Sequence, residues 1–312
     1  MPNINSLNMK AKSKKAASTN KANKKINSKE MNSKIKFQKR VKLSALVELM
    51  RPANCIMAAI AILIGFFIVG GIDYFAAVIA ALSGFLVCAG GQTINDYFDR
   101  KIDVITSAHR PIPSGRVSAR KALWFALILF IIGIGFASLI NVTSQFIAIL
   151  MTILLIAYPL FMNKVKYVGN VIVALGTAIT FIYGAASAGN ILPLIIALSI
   201  TAFFSNMARE VTKDIEDVKK DTKAKHTLPI ILGVAKAKAF PILYYVLAIF
   251  LSVWIYFYFN LNPAYLFVAL IGAVFFAYSS SALIRNNPKK SQKLSKYGML
   301  ISLVAFIVAG IN

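Results

Sequence analysis

The sequence predicts an all-α, polytopic membrane protein with nine transmembrane helices. Hydrophobic residues make up 58% of the 312 residues and charged residues only 15%, and the mean hydropathy of +0.69 exceeds that of ordinary soluble domains. Nine apolar runs of 18 to 23 residues recur after residue 43. Each is long enough to cross a hydrocarbon core of about 30 Å at 1.5 Å per residue.

Residues 1–42 are predicted to be a disordered basic tail in front of a transmembrane domain at 43–312. The tail holds 12 Lys, one Arg and one Glu, which is half of the net charge of +24. Its few large apolar side chains cannot offset the entropy of ordering it. Attraction to anionic lipid and a dispensable extension both remain open as its role. A nucleic-acid partner is not expected, because the rest of the chain is dominated by apolar runs.

Each predicted span is an apolar run that ends where polar residues resume. The spans are 50–70, 74–95, 118–138, 142–161, 169–189, 191–211, 236–258, 262–284 and 293–311.

Basic and non-basic loops alternate along the chain. The loops without Lys or Arg are 71–73, 139–141, 190 and 259–261, whereas 96–117, 162–168, 212–235 and 285–292 carry Lys and Arg. Positively charged loops stay in the cytoplasm. We therefore expect a multi-pass protein of the cell membrane with a cytoplasmic N-terminus and an external C-terminus.

An acidic motif, D-x-x-D-x-x-x-D, occurs twice, each time at the end of a predicted span. The copies are offset by 118 residues at all three positions, which predicts an internal duplication. Their residues are Asp96, Asp99 and Asp103, and Asp214, Asp217 and Asp221.

Each copy places three carboxylates on one helix face, because positions i, i+3 and i+7 lie within about 60° of one another. Crowded carboxylates repel, and oxygen ligands of this kind suit Mg²⁺ held together with substrate phosphates. The alternative is a solvated acidic helix end paired with Lys and Arg. Two observations argue against it: the motif is duplicated, and 8 of the 10 acidic residues outside the tail belong to these two segments, counting Glu210 and Glu216.

Cationic residues near the motifs are predicted to complete a phosphate site. Arginine grips phosphate bidentately and lysine acts as a point charge. Arg209 lies a turn inside an apolar run, whereas loop lysines also satisfy the charge rule for cytoplasmic loops. Asn54 is a polar group at membrane depth, which suggests either a substrate contact or a helix-packing hydrogen bond. The predicted substrate-binding residues are Arg51, Asn54, Arg110, Lys164, Lys166, Arg209 and Lys213.

In these residues the sequence resembles the UbiA superfamily of intramembrane prenyltransferases, over residues 45–312. The superfamily's first motif, N-D-x-x-D-x-x-x-D, is matched from Asn95 to Asp103, and its second, D-x-x-x-D, by Asp217 and Asp221. The segments H-R-P-I-P-S-G-R at 109–116 and R-E-x-x-K-D-I-E-D at 209–217 look most like archaeal digeranylgeranylglyceryl phosphate synthases.

The resemblance implies nine helices that ring a central cavity beneath a cytoplasmic cap bearing the acidic motifs. It also implies the metal ligands Asn95, Asp99, Asp217 and Asp221. The remaining acids, Asp96, Asp103 and Asp214, would be supporting catalytic residues, with Asp96 or Asp103 receiving a proton. The family's Y-x-x-x-K element is not matched, since the first lysines after Tyr158 are Lys164 and Lys166.

The implied reaction is the Mg²⁺-dependent transfer of a geranylgeranyl group from geranylgeranyl diphosphate to the free hydroxyl of geranylgeranylglyceryl phosphate. This forms the second ether bond of an archaeal membrane lipid. An aromatic prenyltransferase is the nearest alternative, because relatives with aromatic acceptors share the acidic motifs. A cation transporter is disfavoured, since transporter sites tend to lie near the bilayer midplane and these acids lie at the ends of spans.

Overall fold

The computed structural model describes residues 43–161, 166–221 and 227–311, and within them the secondary structure is helical with no strand. The predicted tail at 1–42 lies outside the described residues. The helices are α1 Leu43–Met50, α2 Pro52–Ile68, α3 Tyr74–Thr106, α4 Ala119–Ser138, α5 Val142–Phe161, α6 Lys166–Ser187, α7 Pro193–Asp221, α8 Leu228–Leu232, α9 Val234–Ala237, α10 Ala239–Phe259, α11 Pro263–Ile284 and α12 Pro288–Ala309.

The prediction of a multi-pass helical membrane protein is confirmed. In the described part of the chain, eight helices are long and apolar enough to cross a membrane, and the number becomes nine if α1 and α2 are counted together as one span. The nine predicted spans correspond to α2–α7 and α10–α12. Large apolar side chains on the outer faces, such as Trp124, Phe250 and Phe267, are more than half exposed, as lipid-facing residues are.

The two helices that carry the acidic motif extend well beyond their apolar runs. α3 has 33 residues and α7 has 29, whereas their predicted spans end at residues 95 and 211. Neither 92–106 nor 194–221 contains Gly or Pro, so nothing in the sequence interrupts the helix. The acids of each copy therefore continue the helix that precedes them and do not lie in a loop.

α2 and α6 pack backbone to backbone at two glycines. A Cβ on Gly184 would overlap the carbonyl oxygen of Ile62, and a Cβ on Gly65 would overlap the carbonyl oxygen of Phe181. Both distances would be well below 3.0 Å, the shortest approach that real Cβ atoms make. Small residues permit such close helix approach in membranes. This contact fixes two of the walls of the cavity described below.

The orientation of α12 is set by small residues that face α11. The Ser279 hydroxyl on α11 lies 2.8 Å from the Ser291 hydroxyl and 2.9 Å from its carbonyl oxygen. Seven residues after Ser291 on α12, Gly298 is covered by the ring of Phe276 from α11. Ser291, Ser295 and Gly298 are buried. The other faces of α12 therefore point away from α11.

Candidate active site

Both copies of the acidic motif line one cavity of about 670 Å³. The first copy contributes Asn95, Asp99 and Asp103 from α3, and the second contributes Asp217 from α7. The two copies, although 118 residues apart in the chain, thus face one cavity. α3 and α7 bring their polar ends together there.

Two arginines hold the first copy. Arg51, between α1 and α2, donates to Asp96 Oδ1 at 2.5 Å, and Arg110 donates to Asp103 Oδ2 at 2.8 Å and to Asp96 Oδ1 at 3.4 Å. Asp96 and Asp103 are only 4% and 2% exposed, and buried carboxylates need such charged partners. Of the predicted substrate-binding residues, Arg51 and Arg110 thus also neutralise the motif itself.

Arg110 is presented by a compact loop between α3 and α4. The Ser114 amide and hydroxyl both donate to the Arg110 carbonyl oxygen, at 3.0 and 2.6 Å, and Gly115 has a φ of +75° that favours glycine. Burial lowers the pKa of the Arg110 guanidinium, but the charges of Asp96 and Asp103 outweigh it, so its net pKa is raised. Arg110 is a permanent cation.

The three acids of the first copy do not share one role. The lining of the cavity includes Asp99 and Asp103 but not Asp96. The Asn95 amide nitrogen lies 3.4 Å from Asp99 Oδ2, and both side chains line the cavity. Asn95 and Asp99 are therefore placed to meet a ligand, whereas Asp96 is turned towards Arg51 and Arg110.

The second copy divides in the same way. Asp214 is 1% exposed and accepts a hydrogen bond of 2.7 Å from the Asn170 amide on α6. Asp217 lines the cavity. One turn before Asp214, Glu210 accepts a hydrogen bond from Arg209 at 2.8 Å and pairs with Lys213 at 3.8 Å. Asp217 is thus the acid of this copy that the described residues show facing the cavity.

The remaining predicted residues have different outcomes. Asn54 is exposed and lines the cavity, which favours a substrate contact over a helix-packing role. Arg209 and Lys213 also line the cavity. Lys164 lies outside the described residues, as do the side chains of Lys166 and Asp221.

Asn170 and Lys296 are among the polar residues of this region that the sequence does not single out. Asn170 lies just inside a predicted span, so the criterion that singled out Asn54 would have found it. Lys296 lies in the ninth predicted span, and no motif marks it. It lines the same cavity as the acids.

Beyond the polar residues the cavity is apolar. Its lining passes from the acidic motifs to aliphatic, thioether and aromatic side chains, which suit a hydrocarbon chain. These residues include Met57, Ile62, Val87, Met151, Leu155, Ile179, Phe181, Leu300, Leu303 and Phe306. The cavity matches an amphiphile with a charged head and a long apolar tail.

The residues present fit Mg²⁺ bound together with a phosphate. Among the described residues no group of three His, Cys, Asp or Glu side chains is close enough to hold an ion alone. Asn95, Asp99 and Asp217 nevertheless offer oxygen ligands to one cavity. Mg²⁺ commonly binds through one or two carboxylates and completes its shell with water and substrate phosphates.

Comparison with known proteins gives the site a context. The model of the UbiA prenyltransferase family matches residues 58–304. A digeranylgeranylglyceryl phosphate synthase from Methanosphaera stadtmanae is 36% identical over 85% of this chain and 98% of its own. Another from Thermococcus kodakarensis is 35% identical over 87% of this chain and 99% of its own.

Solved structures share the architecture. A structure concerned with digeranylgeranylglyceryl phosphate synthase in membranes is 34% identical, with a TM-score of 0.71 over 86% of this chain and 99% of that one. A UbiA homologue from Archaeoglobus fulgidus, bound to GPP and Mg²⁺, has a TM-score of 0.63 at 19% identity over 86% and 98% of the two chains. At that identity the second likeness concerns the fold alone.

Proposed function

The chain belongs to the UbiA prenyltransferase family, and we propose that it transfers a geranylgeranyl group from geranylgeranyl diphosphate to the free hydroxyl of geranylgeranylglyceryl phosphate. Relatives 32% to 38% identical over most of the chain are digeranylgeranylglyceryl phosphate synthases. The observation that carries the proposal is the single cavity that joins both acidic copies to an apolar interior.

Asn95, Asp99 and Asp217, with Asp221, would hold Mg²⁺ against the donor's diphosphate. When bound, the ion neutralises charge that develops on the leaving group. Arg110 lines the cavity while paired with Asp103 and would donate hydrogen bonds beside the diphosphate. Lys164 or Lys166 is the candidate for a further positive charge there. The allylic carbon–oxygen bond of the donor breaks, and a new carbon–oxygen bond forms to the acceptor hydroxyl. The apolar walls exclude water, which would otherwise capture the electrophilic carbon.

The acceptor hydroxyl must lose a proton in this step. Of the two candidates, Asp103 lines the cavity and Asp96 does not, which supports Asp103 as the proton acceptor. Asp96 would instead orient Arg51 and Arg110, which both bind it. Asp214, held by Asn170, would fix α7 against α6 so that Asp217 faces the cavity.

Activity measurements test the metal site. We expect Asp99→Asn and Asp217→Asn each to retain less than a tenth of wild-type turnover, a barrier increase of more than about 1.4 kcal/mol. Glu216→Gln is the matched control, because Glu216 lies next to Asp217 but is exposed and outside the cavity lining. Near-normal turnover in either Asp variant would contradict the two-copy site.

A panel of acceptors tests the substrate. Purified protein is incubated with Mg²⁺ and geranylgeranyl diphosphate, and the products are identified by mass. We expect geranylgeranylglyceryl phosphate to be preferred over hydroxybenzoate. A clear preference for hydroxybenzoate would assign the chain to the aromatic prenyltransferases and leave the prenyl-transfer chemistry in place.

The motif-bearing end of the bundle would face the cytoplasm, with the N-terminus on the same side and the C-terminus outside. Support comes from the basic loops, which lie at the ends of α3, α5, α7 and α11. A cysteine introduced at Asn190 should react with an impermeant maleimide in intact cells, and one at Ser114 only after lysis. The reverse pattern would invert the topology.

A further inference from the structure

The cavity's cations differ in whether a carboxylate already neutralises them. Arg51 and Arg110 are bound by Asp96 and Asp103. Arg209 and Lys213 are both paired with Glu210. The fifth cation in the lining is Lys296, and within the described residues no carboxylate lies within ion-pair distance of it. Of the cavity cations in the described part of the chain, Lys296 is thus the one that no described carboxylate pairs with.

Lys296 belongs to a row of lysines on α12. Lys289, Lys293 and Lys296 occupy positions i, i+4 and i+7, so they lie on one helix face, and all three are exposed. The buried Ser291, Ser295 and Gly298 face α11. Of the three lysines, Lys296 lines the cavity, and Lys289 and Lys293 precede it on the same exposed face.

The same face becomes apolar further along the helix. The cavity-lining residues that follow Lys296 on α12 are Met299, Leu300, Ser302, Leu303 and Phe306. A ligand lying along this helix would therefore meet a cation first and hydrocarbon side chains afterwards. That order matches a lipid with one phosphate at its head and an isoprenoid chain behind it.

The local charge favours an anion without a metal. No Asp or Glu occurs in residues 222–312, which contain nine Lys and Arg. Among the described residues, the carboxylates of the cavity come from α3 and α7. A diphosphate held through Mg²⁺ belongs beside those carboxylates, whereas a phosphate monoester that has no metal needs an unneutralised cation.

We propose that Lys296 binds the phosphate of the prenyl acceptor and that Lys289 and Lys293 attract the same headgroup from the membrane surface. This inference rests on the proposed function and adds the acceptor's phosphate subsite to it. Lys296 is then a specificity-determining residue: it selects a phosphorylated lipid alcohol over the neutral alcohol of the same chain.

The experiment compares two acceptors, geranylgeranylglyceryl phosphate and its dephosphorylated alcohol, in wild type, Lys296→Gln and Lys290→Gln. Lys290 is the matched control, because it is an exposed lysine of the same helix, about 100° from the row and outside the cavity lining. We expect Lys296→Gln to raise the acceptor KM about tenfold or more for the phosphate only, with the donor KM and kcat nearly unchanged. Lys296→Arg should restore most of the affinity.

Three outcomes would overturn the proposal. An unchanged acceptor KM in Lys296→Gln would place the phosphate elsewhere, and an equal loss with both acceptors would indicate a structural effect. A raised KM for the donor would assign Lys296 to the diphosphate. Failure of the proposed function is distinguishable from all three, because wild-type protein would then not convert geranylgeranylglyceryl phosphate at all.

Discussion

Replacing Gly184 by alanine is expected to destabilise the protein, although the same change normally favours a helix. The new methyl group would overlap the Ile62 carbonyl oxygen. That oxygen belongs to the backbone of α2 and cannot rotate away, so α2 and α6 must separate by about an ångström or more before the contact becomes tolerable. Overpacking of this kind costs about 1–3 kcal/mol.

The control for this variant is Gly135→Ala in α4. Gly135 is also helical, but a Cβ there would meet nothing within 4 Å. Without a clash, alanine gains up to about 1 kcal/mol over glycine in a helix interior. The two variants make the same chemical change and should shift stability in opposite directions.

Thermal unfolding of the purified protein in detergent measures the difference. We expect the midpoint of Gly184→Ala to fall below that of wild type and the midpoint of Gly135→Ala to equal or exceed it. Turnover of Gly184→Ala should also fall, because Ile62 and Phe181 at this helix contact line the cavity. A Gly184→Ala protein as stable as wild type would refute the close packing of α2 and α6.

Three further expectations follow from other contacts. Arg110→Met removes the 2.8 Å partner of buried Asp103, so the free energy of unfolding should drop by about 1.5–3 kcal/mol. Adding Asp103→Asn should recover part of this loss, and strict additivity of the two changes would contradict the pairing. Asn170→Leu leaves Asp214 without its amide donor, so turnover should fall while the circular dichroism spectrum stays helical; full activity would show that Asp214 does not need this support. Deletion of residues 1–40 should leave kcat in neutral detergent at moderate salt unchanged, and any effect should appear only with anionic lipid at low salt. Loss of activity in neutral detergent would mean that the tail helps to form the site.

Much of the fold could be predicted from the sequence because membrane spans depend on local properties. An apolar run crosses the bilayer only as a helix with its backbone hydrogen bonds satisfied internally, so the run itself determines the element. The predicted span 142–161 coincides with α5, and 118–138 differs from α4 by one residue. The predicted ends differ most from the observed ends at α3 and α7, because the apolar run stops at the membrane surface whereas the helix continues beyond it.

The acidic motifs could also be identified from the sequence. The chain itself contains the spacing of Asp96, Asp99 and Asp103 and repeats it once. The spacing places all three on one face of α3, but it cannot state which of them a distant arginine will neutralise. Arg51 lies 45 residues from Asp96, and only the packing of α2 against α3 brings them together.

Lys296 shows the same division between local and tertiary information. By sequence it is one of several lysines around the start of the ninth predicted span, and no motif marks it. The tertiary structure distinguishes it, because the packing of α11 against α12 turns it to the cavity. The other cavity cations among the described residues are paired with carboxylates. The sequence by itself thus determined the helices and the chemistry of the motifs. Which charges remain unpaired in the cavity was decided by contacts between segments far apart in the chain.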